Sequence, residues 1–334
     1  MTPFGAALGA LFTLAALAVA RDDGASGLGV PVDGLPRPLE RVELLGVEGL
    51  AAGWTATDKQ VALGRRLFFD PKLSKGGTVA CASCHRPEFA FADNRRYSLG
   101  INGQPTLRNS PSLLNKSLST HVLWDGRAAR LEDQVLMPIE NPSEMGLGVE
   151  PAIEQLAADE VYTNEFEGAF GSAPTAENLA SALAAFVRAL SVGNSPVDRF
   201  EAGEFKALTA QERSGLWLFQ GRGGCWRCHK GPNFSDEDFH NTGIGVLDEV
   251  AEEGRGAITG EAGDHGKFRT PGLRMLTKTA PYMHDGSQAT LEEVVEYYRT
   301  GGVANAQLSD KLKPFTLSEA DAANLVSFLR ALSR

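Results

Sequence analysis

The amino-acid sequence predicts a mostly α-helical fold that contains an internal duplication. Three observations support this prediction: strand signals are scarce, apolar residues recur at helical spacing in several segments, and one short cysteine–histidine pattern occurs twice. The chain has 334 residues, of which 43% are hydrophobic, so it is long enough to form two domains that each bury a core.

The repeated pattern is C-x-x-C-H, which occupies residues 81–85 and again residues 225–229. It is the attachment signature of a c-type haem, in which both thiols bond to the haem vinyl groups and the adjacent histidine becomes the proximal iron ligand. The two copies use all four cysteines. A zinc ribbon or a pair of disulfides would need cysteines at other spacings or further ligands. The sequence therefore predicts two covalently bound haem c groups, held by Cys81, Cys84 and His85 and by Cys225, Cys228 and His229.

Helix signals surround both copies of the pattern. We predict a first helix that is capped by Thr57 and Asp58 and ends at Asp70-Pro71, just before the first copy. A later helix is capped by Thr175. The helices predicted after the first copy cover residues 151–170, 176–192, 211–219, 292–299 and 318–332.

The spacing of the two copies predicts two domains. The motif histidines lie 144 residues apart (His85 to His229), which is the size of one domain. Each motif follows a helix and a loop, and residues 62–68 resemble residues 214–219. We therefore predict two fused cytochrome c-like domains, residues 45–195 and 196–334, each with one haem.

The N-terminal residues resemble an export signal. Residues 4–20 are apolar and end in Ala-Val-Ala, so residues 1–20 are predicted to be a signal peptide, although no Lys or Arg precedes the apolar stretch. An uncleaved anchor is the alternative. Residues 21–44 are rich in Gly and Pro and are predicted to be a flexible leader. Because haem attachment takes place outside the cytoplasmic membrane, we expect a periplasmic protein with no stable membrane insertion after cleavage.

The net charge of −10 argues against a nucleic-acid partner. An acidic surface favours either a cationic partner or simple solubility, and the sequence does not choose between them.

Further motifs resemble those of one family, the bacterial dihaem cytochrome c peroxidases and their MauG-like relatives. The likeness runs from about Ala62 to the C-terminus. Besides the first C-x-x-C-H, it rests on Asn109-Ser-Pro-Ser-Leu-Leu-Asn115, Trp124-Asp-Gly-Arg127, Gln134, Pro138, Asn141-Pro-Ser-Glu-Met-Gly146, Phe239-His-Asn-Thr-Gly243, Arg269-Thr-Pro-Gly-Leu-Arg274 and Ala280-Pro-Tyr-Met-His-Asp-Gly286.

The resemblance implies that peroxide reacts at the N-terminal haem. Glu144 matches the family's distal acid–base residue, Gln134 its distal amide, and Pro138 a residue that shapes the same pocket. Taken alone, Glu144 would be interpreted as a loop carboxylate that caps a helix. In conventional members a loop histidine occupies this iron, and the corresponding residue here is Ile101, which cannot bind iron. We therefore expect the first haem to be five-coordinate, or to hold only water, at rest.

At the second haem, conventional members have a methionine as sixth ligand, and the corresponding residue here is Tyr298. Tyrosine is the ligand in MauG, and its anionic oxygen favours oxidised iron. Tyr297 would point about 100° away on a helix and is expected to pack in the core. Met275 and Met283 are the rival ligands. Both departures from the conventional pattern, at residues 101 and 298, favour the MauG-like branch.

Trp124 matches the tryptophan that couples the two haems, and a buried core tryptophan is the alternative interpretation. Trp226 is expected to pack near the second haem. The surface tryptophan that MauG uses corresponds to Gly223 here, which puts MauG's protein substrate in doubt.

The resemblance also implies a calcium ion held by Asn109, Thr279 and Pro281, whose oxygen donors suit this hard cation. The acidic run 236–238 is expected to be a solvated loop.

The predicted function is that of an exported dihaem peroxidase that reduces hydrogen peroxide. Its electrons would come from a redox protein, either a partner that is itself modified, as for MauG, or a small cytochrome or cupredoxin. The alternative from another class is a non-catalytic dihaem electron carrier.

Overall fold

The computed structural model describes residues 55–248 and 250–333. The predicted signal peptide, residues 1–20, and the predicted leader, residues 21–44, lie outside these residues. As the sequence predicts, the described chain is mostly helical. Its helices are α1 (Asp58–Phe69), α2 (Cys81–Cys84), α3 (Leu131–Glu140), α4 (Val149–Ala157), α5 (Glu160–Phe170), α6 (Ala176–Ala189), α7 (Pro196–Glu201), α8 (Ala210–Gln220), α9 (Gly256–Thr259), α10 (Leu291–Arg299) and α11 (Glu319–Ala331).

Short 3-10 helices and one small sheet complete the described fold. Strands β1 (Phe239–Asn241) and β2 (Lys267–Arg269) pair antiparallel, with Phe239 opposite Arg269. The 3-10 helices are Pro71–Leu73, Pro87–Phe89, Ile101–Gly103, Lys116–Leu118, Cys225–Arg227, Ala262–Asp264 and Leu276–Lys278. In the part of the chain that the structure describes, no helix is long and apolar enough to cross a membrane.

Side-chain caps begin the helices where the sequence places them. Thr57 and Gln60 form a capping box on α1, with each side chain accepting a hydrogen bond from the other residue's backbone N–H at 3.2 and 2.9 Å. Thr175 caps α6 by accepting from the N–H of Asn178 at 3.1 Å. These local contacts explain why both N-termini were predicted correctly.

Two helix predictions need correction. The segment predicted as one helix over residues 151–170 is two helices, because Asp159 caps α5 by accepting from the N–H of Val161 at 2.9 Å. Helix α3 was not predicted, although it carries two of the candidate site residues, Gln134 and Pro138. Proline within a helix removes a backbone hydrogen bond, so its presence argued against one.

Buried side chains form two clusters. One draws on residues 63–190, where α1 packs against α6, and the other on residues 197–332, where α8 packs against α11. Both helix pairs cross at a glycine. A Cβ atom on Gly64 would lie 1.8 Å from the carbonyl oxygen of Ala182, and one on Gly215 would lie 2.0 Å from that of Asn324. In both halves, therefore, a glycine allows the helix before the haem motif to approach its partner helix closely.

The duplication also continues after the motifs, at a constant offset of 160 residues. In both copies a left-handed residue, Asn115 (φ 58°) or Met275 (φ 61°), precedes a 3-10 helix. The following turn and the start of the next helix match as well. Its equivalent positions are Leu123 and Met283, Gly126 and Gly286, the bridges Val122–Ala128 and Tyr282–Gln288, and the first residues of α3 and α10, Leu131 and Leu291.

This offset makes Pro138 on α3 the structural counterpart of Tyr298 on α10. It also makes Trp124 the counterpart of His284. The two halves of the duplication thus carry different side chains at equivalent positions.

Candidate dihaem site

The first C-x-x-C-H forms the short helix α2, and the second forms a 3-10 helix. In both, the N–H of the histidine bonds to the carbonyl oxygen of the first cysteine, at 3.0 Å for His85 and 2.9 Å for His229. None of the four cysteines forms a disulfide. Burial raises the pKa of Cys81 and Cys225 to about 12, so these thiols are protonated at neutral pH. Both segments therefore present two thiols and a histidine within one turn of backbone.

The two histidine rings are held in the same way. Nδ1 of His85 donates to the carbonyl oxygen of Phe91 at 3.0 Å, and Nδ1 of His229 donates to that of Phe234 at 2.9 Å. Because a carbonyl can only accept, the proton is on Nδ1 and the Nε2 lone pair is available. Burial also lowers the pKa of both histidines, which keeps them neutral. Each ring therefore has the tautomer that a proximal iron ligand requires.

A cavity of about 300 Å³ adjoins the second motif. Cys225, Cys228 and His229 line it, and Tyr298 faces them from α10. Most of the other lining residues are apolar, which suits a porphyrin face. The residues present therefore fit a haem attached at this motif.

The structure separates the candidate sixth ligands. Tyr298 and Met283 both line the cavity, whereas Met275 packs against the first buried cluster. Tyr297 points elsewhere, as predicted: its hydroxyl donates to the carbonyl oxygen of Thr242 at 2.9 Å. Burial raises the pKa of Tyr298, so the phenol is neutral unless a cation stabilises its anion.

Glu144 lies in the loop after α3, close to the first motif. Its charge acts on both Cys81 and Cys84. Burial raises the pKa of Glu144, and its Oε1 accepts a hydrogen bond from Nδ2 of Asn141 at 2.8 Å. A half-buried carboxyl with a raised pKa and a fixed orientation has the properties of a proton-transfer group. It does not cap a helix, which was the alternative interpretation.

Several backbone contacts fix the Glu144 loop. Met145 donates to the carbonyl oxygen of Pro138 at 3.1 Å, and Ile101 donates to that of Glu144 at 2.8 Å. The Ile101 side chain is 6% exposed and belongs to the first buried cluster. Gln134 and Pro138 lie one turn apart on α3 and are both half-buried. The residues implied by the resemblance are thus held on neighbouring segments, and the residue in place of the loop histidine is apolar.

Trp124 lines the cavity that adjoins the second haem motif. Its Nε1 donates to the carbonyl oxygen of Asn109 at 2.8 Å, and its ring meets that of His284 edge-on, with centroids 6.3 Å apart. His284 stacks on Phe268 with centroids 3.6 Å apart. Its counterpart in the duplication, His284, is therefore its direct neighbour in space.

Sequence reasoning missed the charged network behind this ring pair. Nε2 of His284 lies 3.2 Å from Oε2 of Glu252, whose Oε1 accepts from Nη2 of Arg108 at 2.6 Å. Arg108 also donates to Asp125 at 2.6 Å. These side chains come from four separate segments. His284 stood within a quoted motif, but nothing in the sequence linked it to Glu252 or Arg108.

The three residues proposed for calcium all line the same cavity. Asn109 uses its amide nitrogen to donate to the carbonyl oxygens of Arg95 and Arg96 at 3.0 and 3.3 Å. Thr279 donates its hydroxyl to the carbonyl oxygen of Leu276 at 3.3 Å, and Pro281 lies two residues further along the same cavity wall. Oxygen donors of this kind suit calcium.

The prediction that residues 236–238 form a solvated loop is wrong for two of the three. Asp236 is 2.9 Å from Nε2 of His240 and 3.3 Å from Nζ of Lys311, and Glu237 pairs with Arg269 at 3.1 Å. The two cations, Lys311 and Arg269, are distant in sequence, whereas His240 is four residues from Asp236. Trp226, as expected, packs against the second buried cluster.

A helical chain with two such motifs and a half-buried acid beside one of them is typical of the class of dihaem c-type peroxidases. The profile of the family described as di-haem cytochrome c peroxidase matches residues 58–206. The methylamine utilization protein MauG of Methylorubrum extorquens is 39% identical over 278 residues, which are 83% of this chain and 78% of that protein.

Two further relatives span most of the chain. Cytochrome c551 peroxidase of Pseudomonas aeruginosa is 33% identical over 341 residues, covering 100% of this chain and 92% of that protein. The crystal structure of a MauG-like protein associated with microbial copper homeostasis superposes with a TM-score of 0.79 at 33% identity, covering 90% of this chain and 95% of that one. The chain therefore belongs to the di-haem cytochrome c peroxidase family and is an oxidoreductase that acts on peroxide.

Proposed function

We propose that the protein is a MauG-like member of this family, which reduces hydrogen peroxide at the His85 haem and oxidises a partner protein through the His229 haem. The observation that carries the proposal is the difference between Pro138 and Tyr298, which occupy equivalent positions in the duplication. Pro138 and Ile101 offer no ligand on the first side, whereas Tyr298 faces the cavity on the second. One side is thus suited to bind peroxide and the other to stabilise oxidised iron.

A haem at His85 would supply the iron to which peroxide binds. Glu144 then accepts the proton from the inner peroxide oxygen and returns it to the outer one. Its raised pKa assists this exchange, because burial makes the carboxylate a stronger proton acceptor. Asn141 fixes the carboxyl's orientation, and Gln134 is proposed to position the peroxide by its amide.

The two sites are proposed to exchange electrons through Trp124, which lines the second cavity and contacts His284. Asn109, Thr279 and Pro281 are proposed to bind calcium beside it. The division into domains 45–195 and 196–334 is supported by the two buried clusters. Along the sequence, the first cluster ends at Leu190 and the second begins at Val197. Export to the periplasm stays a proposal that rests on residues 1–20.

The second candidate function is that of a conventional cytochrome c peroxidase, with a small cytochrome or cupredoxin as donor. Met283 favours it, because this residue also lines the second cavity and a methionine ligand suits electron transfer. Gly223 in place of MauG's surface tryptophan points the same way.

The experiment that tests the proposed chemistry is the reaction of Glu144→Gln with peroxide, followed by stopped-flow absorbance. General acid–base groups contribute about 10²- to 10⁴-fold, so the rate should fall by that factor. Glu140→Gln is the matched control, since Glu140 is an exposed carboxyl at the end of helix α3, just before the Glu144 loop. An unchanged rate in Glu144→Gln would show that Glu144 is not the group that transfers the proton.

A further inference from the structure

Lys116 is a half-buried cation without a side-chain partner among the described residues. It follows the left-handed residue Asn115 and lines the second haem cavity. Among the described residues no hydrogen bond or ion pair holds its ammonium group. Its counterpart in the duplication is Leu276, an apolar residue that is 9% exposed. The charge is therefore not required by the local fold, and its burial is costly unless an anion lies beside it.

Arg269 lines the same cavity, and its charge acts on Lys116. Its side chain is 2% exposed, and Nη1 donates to the carboxylate of Glu237 at 3.1 Å. Its Nε is buried without a hydrogen-bond partner. Loss of solvation lowers the pKa of Lys116 to about 7, with a further contribution from the charge of Arg269 that Glu237 opposes. The single carboxylate of Glu237 thus pairs with Arg269 and also acts on Lys116 through its charge.

The other cations that line the cavity have partners of their own or face solvent. Lys311 pairs with Asp236 at 3.3 Å, Arg274 with Asp198 at 2.7 Å, and Arg222 with Asp321 at 2.6 Å. The unbalanced positive charge is therefore located at Lys116 and Arg269. A second carboxylate would balance it.

We propose that Lys116 and Arg269 form an anion site that binds a propionate carboxylate of the haem attached at Cys225 and Cys228. The proposal rests on the proposed attachment of haem at this motif. A haem propionate is a carboxylate that enters the cavity with the porphyrin, so it can reach both cations that line the cavity. The site would orient the haem and raise its midpoint potential, because a nearby positive charge favours the reduced iron.

The test is the midpoint potential of the Tyr298-side haem in Lys116→Met, measured by spectroelectrochemistry. We expect it to fall, to recover in Lys116→Arg, and to stay unchanged in Lys206→Met, a control on an exposed lysine. If the methionine variant does not take up haem, Lys116→Gln gives the same prediction. The resonance Raman bending band of the haem propionates should shift in the same variants, which a purely structural role of Lys116 would not cause.

Three outcomes would overturn the proposal. An unchanged potential and Raman band in a fully loaded Lys116→Met protein would show that no propionate contacts Lys116. A shift confined to the His85 haem would assign the site to the other cofactor. A potential that depends on phosphate concentration at constant ionic strength would indicate a free anion instead. Haem staining of the wild-type protein tests the attachment separately, so failure of the proposed attachment is distinguishable from failure of this site.

Discussion

Substitution of Gly100 by alanine should strongly slow the reaction with peroxide without removing any candidate catalytic group. Gly100 precedes the 3-10 helix Ile101–Gly103 and has a φ of −84°, which alanine adopts freely. Its Cβ, however, would lie 2.0 Å from the carbonyl oxygen of Ser143 and 2.7 Å from the Cα of Glu144. Since ordinary contact begins near 3.4 Å, the Glu144 loop must move by about 1.4 Å.

The size of the effect follows from that displacement. A reacting group misplaced by about 1 Å can cost about 100-fold in rate. We therefore expect Gly100→Ala to slow the reaction with peroxide by about 100-fold, measured by stopped-flow absorbance. Overpacking should also lower the free energy of unfolding by about 1–3 kcal/mol, which chemical denaturation measures.

The matched control is Gly168→Ala in α5, where the added Cβ meets no atom within 4 Å. This variant should react at the wild-type rate and gain up to about 1 kcal/mol of stability, because alanine favours the helix over glycine. A folded Gly100→Ala protein that reacts at the wild-type rate would refute the reasoning that the position of Glu144 limits the chemistry.

Two further predictions concern stability. Asp198→Asn breaks a buried bidentate pair with Arg274, whose two bonds are both 2.7 Å, and should lower the free energy of unfolding by about 3–5 kcal/mol; a loss below about 1 kcal/mol in denaturant titrations would contradict this. The pKa of Glu252 is lowered to about 2 by His284 and Arg108 despite its burial, so its contribution is present above its ordinary pKa near 4.5 and is lost as the pH falls towards 2. The difference in free energy of unfolding between wild type and Glu252→Gln should therefore shrink as the pH falls across this range. The control, Glu253→Gln at the exposed neighbour, should show a constant difference. A constant difference for Glu252→Gln as well would show that its contacts with His284 and Arg108 do not stabilise the fold.

The sequence predicted those features that depend on short-range signals. Both haem motifs are local patterns, and the helix starts at Thr57 and Thr175 follow from capping contacts within one turn. The exclusion of Tyr297 from the cavity follows from helix geometry alone. The candidate residues on α3 came from the family resemblance, because the helix itself, which contains Pro138, was not predicted.

Long-range partners were beyond prediction. Asp236 and Glu237 read as a solvated run because the cations that pair with them, Lys311 and Arg269, are 75 and 32 residues away in sequence. The same holds for the contact between Glu252 and Arg108, which are separated by 144 residues. No local pattern marks such pairs, and only the folded backbone brings them together.

The central claim is that the first haem is open at rest and that both haems share the oxidising equivalents of peroxide. The most direct test is the absorption and EPR spectrum of the fully oxidised protein before and after one equivalent of hydrogen peroxide. We predict a high-spin signal at rest and an immediate change at both haems without any reductant. Two low-spin haems that respond only after partial reduction would contradict the account and identify a conventional peroxidase.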